Sequence, residues 1–76
     1  MTYVITAKLP IATENGIITS YETNYFCRRL TTPTGIKVNE WDSDKNFAQE
    51  FTTKEGAGKF CRDFIDMDGL KIVPFK

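Results

Sequence analysis

The chain has 76 residues, of which 41% are hydrophobic and 26% charged, and its ten basic and ten acidic side chains give a formal net charge of zero. This length suits a single core, so we expect residues 1–76 to form one domain. The neutral charge argues against a general nucleic-acid binder, because phosphate binding requires a basic surface. Neither a membrane span nor a secretory signal is recognisable, which predicts a cytoplasmic protein without a membrane partner.

The first half of the sequence has the alternation of a long β-hairpin. Apolar residues recur at every second position from Tyr3 to Leu9, which predicts a strand that ends at Pro10. Asn15-Gly16 is a strong turn signal, and a second strand should follow from Ile17 to about Leu30. Because so long a strand tends to bend, we expect an interruption at residues 22–24.

Two further strands are predicted before the helix. Residues 31–35 contain Pro33 and Gly35 and read as a turn into a third strand that begins at Ile36 and extends to Trp41. A polar loop at residues 42–46 should then lead into a short strand from Phe47 to Phe51.

A capped amphipathic helix is predicted directly after Phe51. Thr52 and Glu55 have the spacing of a capping box, in which each side chain bonds to a backbone N–H near the other residue. Apolar residues follow at helical spacing and should form one buried face: Ala57, Phe60, Cys61, Phe64 and Ile65. The helix is expected to stop at residues 66–69, where Gly69 supplies the terminating glycine.

A last short strand, from Leu70 to Val73, completes the predicted fold. Pro74 favours an edge position or a strand end, because proline cannot donate a hydrogen bond to a neighbouring strand. The order strand, strand, strand, strand, helix, strand (β-β-β-β-α-β) indicates an α+β fold, in which one helix packs on one face of a small, mainly antiparallel sheet.

Motifs that would indicate an enzyme or a metal site are incomplete in this sequence. There is no histidine, the usual general base at neutral pH. Residues 56–59 lack the remaining residues of a phosphate-binding loop, and residues 42–46 lack the glycine and glutamate that complete a calcium loop. We therefore expect a non-enzymatic protein with no catalytic residues, no metal and no cofactor. Cys27 and Cys61 read as two buried thiols, with a single disulfide between strand and helix as the alternative.

Protein binding is the function that we expect, through a partner-binding surface on the sheet and its polar hairpin loop. An exposed indole would be a contact hot spot, whereas a buried one would belong to the core. The candidate residues are Trp41, Asp42 and Asp44 in the loop region, with Tyr21 and Tyr25 on the sheet. An exposed sheet edge would also allow a homo-oligomer, most simply a homodimer.

The alternative function is single-stranded nucleic-acid binding, in which aromatic side chains stack on bases and guanidinium groups bind phosphates. The candidate residues for this surface are Tyr25, Phe26, Arg28 and Arg29.

The second half of the chain resembles short uncharacterised proteins encoded by phages and prophages of Gram-positive bacteria. The resemblance rests on the Trp-bearing hairpin at residues 41–51, the capped helix with Phe60 and Phe64, and the final strand at residues 70–74. It implies a small accessory protein in the cytoplasm of a bacterial host cell, which modulates or inhibits a host or phage macromolecule by binding to it.

Overall fold

The computed structural model describes residues 1–75 and contains one four-stranded antiparallel sheet with one α-helix. This architecture confirms the predicted α+β class. The sheet has the order β3-β2-β1-β4, so β3 and β4 are its outer strands. The elements are β1 (Tyr3–Ala12), β2 (Ile18–Thr31), β3 (Lys37–Asp42), a single 3₁₀ turn (Lys45–Phe47), α1 (Lys54–Phe64) and β4 (Lys71–Pro74).

Both hairpin turns have the same sequence pattern, Thr-x-x-Gly-Ile, at residues 13–17 and 32–36. In each turn the threonine hydroxyl accepts a hydrogen bond from the isoleucine N–H, and the threonine N–H donates to the isoleucine carbonyl. Gly16 and Gly35 have φ angles of 77° and 87°, a conformation that side chains with a Cβ rarely adopt. The two predicted turns are thus confirmed, and they share one geometry.

The first two strands differ from the prediction in where they are interrupted. β1 continues through Pro10 to Ala12, because the proline faces a side of β1 where no strand lies beside it within the described residues. β2 runs without a break through residues 22–24. β2 is irregular at two other places. Thr19 has no partner between the pairs that Ser20 and Ile18 make with β1, and at Cys27 a β-bulge separates the pairs that Phe26 and Arg28 make with β3.

The prediction of a strand from Phe47 to Phe51 was wrong. Its first residue lies in the 3₁₀ turn, and only Phe51 makes a bridge, exchanging hydrogen bonds of 2.7 and 2.8 Å with Tyr3. The Gln49 N–H donates to the Phe26 carbonyl over 2.9 Å. Residues 49–51 therefore fill the gap between β1 and β2 beyond the point where those strands stop pairing. We name residues 48–51 the crossing segment.

Helix α1 begins one residue later than predicted. Thr53 is the N-cap, and its hydroxyl accepts a hydrogen bond of 2.9 Å from the Gly56 N–H. This shift places Glu55 at the second helical position, so the capping box expected between Thr52 and Glu55 does not form. At the other end, α1 stops at Phe64, and Gly69 instead turns the chain into β4, with a φ of 78°.

The core lies between α1 and one face of the sheet, which we name the helix face. Ala57 on the helix and Ile65 directly after it pack against Ile5 and Phe26 on the sheet, and all four are buried. Phe60 contacts Phe26 with ring centroids 5.1 Å apart. Of the residues predicted to be covered, Phe64 is the exception, since 47% of it is exposed. β4 is an edge strand that ends at Pro74, as the proline predicted.

The observed cap gives a direct test of the register of the helix. Thr53→Ala should lower the free energy of unfolding by about 1 kcal/mol, because the Gly56 N–H loses its acceptor. Thr52→Ala is the matched control and should have little effect. Urea denaturation measures both values, and a larger loss for Thr52→Ala would contradict the observed cap.

Candidate interaction surfaces

The β1–β2 hairpin extends beyond the core as a two-stranded arm, which we define as residues 8–24. β4 pairs with β1 only at residues 3–6, and β3 pairs with β2 only at residues 25–31. Every residue from Pro10 to Glu22 is exposed. Large apolar side chains are nonetheless concentrated on this arm: Ile11, Ile17, Ile18 and Tyr21. Ile11 and Tyr21 belong to successive pairs, so they point to opposite faces of the arm, and no layer of the fold covers either face.

The hydrogen bonds at the base of β1 show which backbone groups of the arm lack partners. Tyr3 bonds toward the β2 side, through Phe51, whereas the Thr2 carbonyl accepts from Phe75 on the β4 side. Backbone groups alternate between the two sides of a strand, so the backbone N and C=O of Pro10 point away from β2. Tyr21 lies opposite Pro10, so the Tyr21 N–H and C=O also point outward, and those of Thr23 follow two residues later.

These outward groups belong to an edge that lacks the usual protection against pairing. Lysine and proline protect the other open edges of the described sheet, with Pro10 on β1, Lys37 on β3, and Lys71 and Pro74 on β4. The Lys8 ammonium of β1 instead donates to the Thr23 hydroxyl of β2 over 2.6 Å. Residues 18–24 of β2 contain neither residue type, and Glu22 is their only charge. We name the outward side of residues 18–24 the open edge.

The five partner-binding residues predicted from the sequence do not form one surface. Trp41 faces the helix and packs edge-on against Phe26, with ring centroids 5.8 Å apart. Alternation along β3 and β2 puts Asp42, Tyr25 and Tyr21 on the opposite face. Tyr21 is 64% exposed and Tyr25 is half-buried, so Tyr21 is the aromatic side chain that a partner can reach most easily.

The two aspartates bind the local backbone. Asp42 accepts a hydrogen bond of 2.7 Å from the Asp44 N–H, and Asp44 accepts one of 2.9 Å from the Asn46 N–H. Both carboxylates thereby stabilise the turn that begins the 3₁₀ segment.

A cleft of about 430 Å³ lies on the face opposite the helix. The bulge places Cys27 and Arg28 at its base, and Phe47 covers one side. The Arg28 guanidinium donates to the Glu40 carboxylate over 2.8 Å, at the surface. Neither the bulge nor the position of Phe47 was predicted, since the irregularity of β2 was expected at residues 22–24 and Phe47 was assigned to a strand.

The two cysteines lie on opposite sides of the sheet and are not bonded to each other. Cys27 faces the cleft, whereas Cys61 packs against the core from the helix. Both are half-buried, so the predicted burial is only partial, and the alternative disulfide does not form. Burial raises the pKa of both thiols, and the Asp42 and Glu40 carboxylates raise the pKa of Cys27 further.

The four residues considered for nucleic-acid binding also point in different directions. Phe26 is fully buried and offers no ring face to a base. Arg28 pairs with Glu40 on one face of the sheet. Arg29 lies on the other face, where it donates to the Phe64 carbonyl over 2.7 Å and stacks on the Phe64 ring. With Tyr25 on the face of Arg28, these side chains do not make a continuous stacking platform.

A smaller, apolar groove of about 320 Å³ runs along α1. Three aromatic rings line it, those of Phe51, Phe60 and Phe64, and the charged side chains of Lys59 and Asp63 flank it. The rings contact each other, with centroid distances of 5.4 Å for Phe51–Phe60 and 4.9 Å for Phe60–Phe64. The groove is therefore the outer side of the aromatic core.

Neither a metal-binding cluster nor a membrane-spanning helix is present in the part of the chain that the structure describes. No group of three or more histidine, cysteine or acidic side chains there could hold a metal ion. No helix there has the length and apolarity needed to cross a membrane. Comparisons with protein-family models, curated proteins and solved structures gave no match.

The raised pKa of Cys27 has a measurable consequence. In a Cys61→Ser background, Cys27 should react with iodoacetamide at pH 8 more slowly than a free cysteine, because less of it is thiolate. Asp42→Asn should accelerate the reaction, since it removes a negative charge but keeps an acceptor for the Asp44 N–H. Asp68→Asn is the control. Unchanged or slower labelling of the Asp42→Asn protein would contradict the assignment.

Proposed function

We propose that this protein is a small, non-enzymatic protein-binding module, and that it binds an extended segment of its partner along the open edge. The observation that supports this proposal is the outward-pointing backbone of Tyr21 and Thr23 on an edge without lysine or proline. A strand added at such an edge forms backbone hydrogen bonds that supply affinity, while alternate side chains supply specificity.

Tyr21 is the proposed anchor of the interface. Its ring is large, largely exposed and placed at the middle of the open edge. Tyrosine is among the residues that most often dominate binding energy, because it buries a large rigid surface and keeps one polar group. Trp41, which the sequence also suggested, contributes in this proposal through the core that supports the arm.

The resemblance to phage and prophage proteins gives the proposal its biological setting. We propose an accessory protein of a phage or prophage that acts in the cytoplasm of a Gram-positive host cell. By occupying an extended segment of a host or phage macromolecule, the arm would inhibit or modulate that macromolecule without chemistry of its own.

Affinity capture from a Gram-positive lysate, followed by binding measurements with the purified captured protein, tests this function. Tyr21→Lys should weaken binding about tenfold or more, because it removes the anchor and places a lysine on the edge. Ile36→Lys is the matched control: Ile36 is 61% exposed and lies at the turn of the other hairpin. It should bind like the wild type.

The opposite pattern would reject the proposed surface. If Ile36→Lys abolished binding while Tyr21→Lys did not, the partner would contact the β2–β3 hairpin and not the arm. A captured nucleic acid, released by high salt, would favour the alternative function instead.

A further inference from the structure

We propose that a second copy of this chain occupies the open edge when no other partner is present, forming a symmetric dimer through antiparallel β2–β2 pairing centred on Tyr21. This inference rests on the proposed function, because it uses the same edge. The surface proposed to bind the open edge is the open edge of a second copy.

The backbone of the open edge is complementary to itself. The Tyr21 N–H and C=O both point outward, so a two-fold axis at this residue lets each copy donate to and accept from Tyr21 of the other copy. Regular pairing then covers residues 20–22 of each copy, up to the irregularity at Thr19, which has no partner in the β1 register between Ser20 and Ile18.

The side chains are compatible with this register. In a pairing centred on Tyr21, Glu22 lies opposite Ser20 of the other copy, so the only charges on the edge do not face each other directly. The two Tyr21 rings become direct cross-strand neighbours. Tyr21 is exposed in the single chain, and pairing removes part of the apolar surface of both rings from water. The zero net charge of the chain adds no general repulsion between the copies.

The other edges of the described sheet explain why assembly stops at two copies. Each of them carries lysine, proline or both, which disfavours pairing with a further strand. Pairing of the open edge with itself is isologous, so it uses up the unprotected surface of both copies. A closed dimer is therefore favoured over an open-ended array of strands.

A charge-swap experiment tests both the dimer and its register. Light scattering coupled to size exclusion should give the wild type a mass of twice the 8.7 kDa of one chain. Tyr21→Lys alone and Tyr21→Glu alone should each run as monomers, because like charges then face each other at the axis. An equal mixture of the two variants should recover the doubled mass. This recovery also shows that both variants fold.

The matched controls are Ile36→Lys and Ile36→Glu, which should both remain dimeric. A wild type with the monomer mass at concentrations up to about 1 mM would overturn the dimer, since that limit corresponds to very weak association. So would Tyr21 variants that remain dimeric, or wild-type assemblies larger than two copies.

The dimer and the proposed function fail in different ways. A monomeric wild type that still binds a captured protein through Tyr21 would overturn the dimer and leave the function standing. A dimer that passes the charge-swap test but captures no protein would support the dimer and count against the wider function.

Discussion

Burial of Phe26 is the constraint on which the rest of the structure depends. Its ring is fully buried and contacts Trp41 of β3 and Phe60 of α1, with centroid distances of 5.8 and 5.1 Å. Its carbonyl accepts the hydrogen bond from Gln49 that anchors the crossing segment. One residue in the middle of β2 thus joins the edge strand, the helix and the connection between them. In a chain this short, few other contacts are available to share that role.

The position of the crossing segment determines which parts of the sheet are covered. Phe47 lies over the face opposite the helix, whereas Phe51 packs against Phe60 on the helix face. The chain therefore passes through the sheet in the gap between β1 and β2, and α1 begins directly afterward. Because the helix starts at this end of the sheet and spans only eleven residues, it does not reach the arm. The exposure of the arm is thus a consequence of how the core is built.

The elements that could be predicted from the sequence are those specified by local chemistry. Alternation located the long strands, Asn15-Gly16 located the first turn, and apolar spacing located the helix. Because Thr52 and Thr53 are adjacent, the sequence left the N-cap ambiguous by one residue. The hydrogen bond from the Gly56 N–H to the Thr53 hydroxyl identifies Thr53 as the cap. The false strand at residues 47–51 has a different origin: its hydrogen bonds go to Tyr3 and Phe26, which are distant in sequence.

The open edge could not be predicted from the sequence, because its position depends on which residues pair between the strands. Tyr21 and Trp41 look equally suitable in the sequence, and only the fold places one on the arm and the other against Phe26. The uneven distribution of lysine and proline was visible in the sequence. It acquires meaning only when the strand order shows which segments are edges. The repeated Thr-x-x-Gly-Ile turns were a local signal that could have been found directly.

The two strands of the arm pair with each other, and its β2 edge is the one without lysine or proline. Residue-resolved amide hydrogen exchange tests this claim most directly, because protection reports hydrogen bonding at each N–H. The chain is measured at a dilution where light scattering gives the mass of one copy, so that pairing between copies does not contribute. The amides of Glu22 and Asn24, which face β1, should be protected, while those of Tyr21 and Thr23 should exchange nearly as fast as in an unfolded chain. Equal protection of all four amides, or protection of none, would contradict the account.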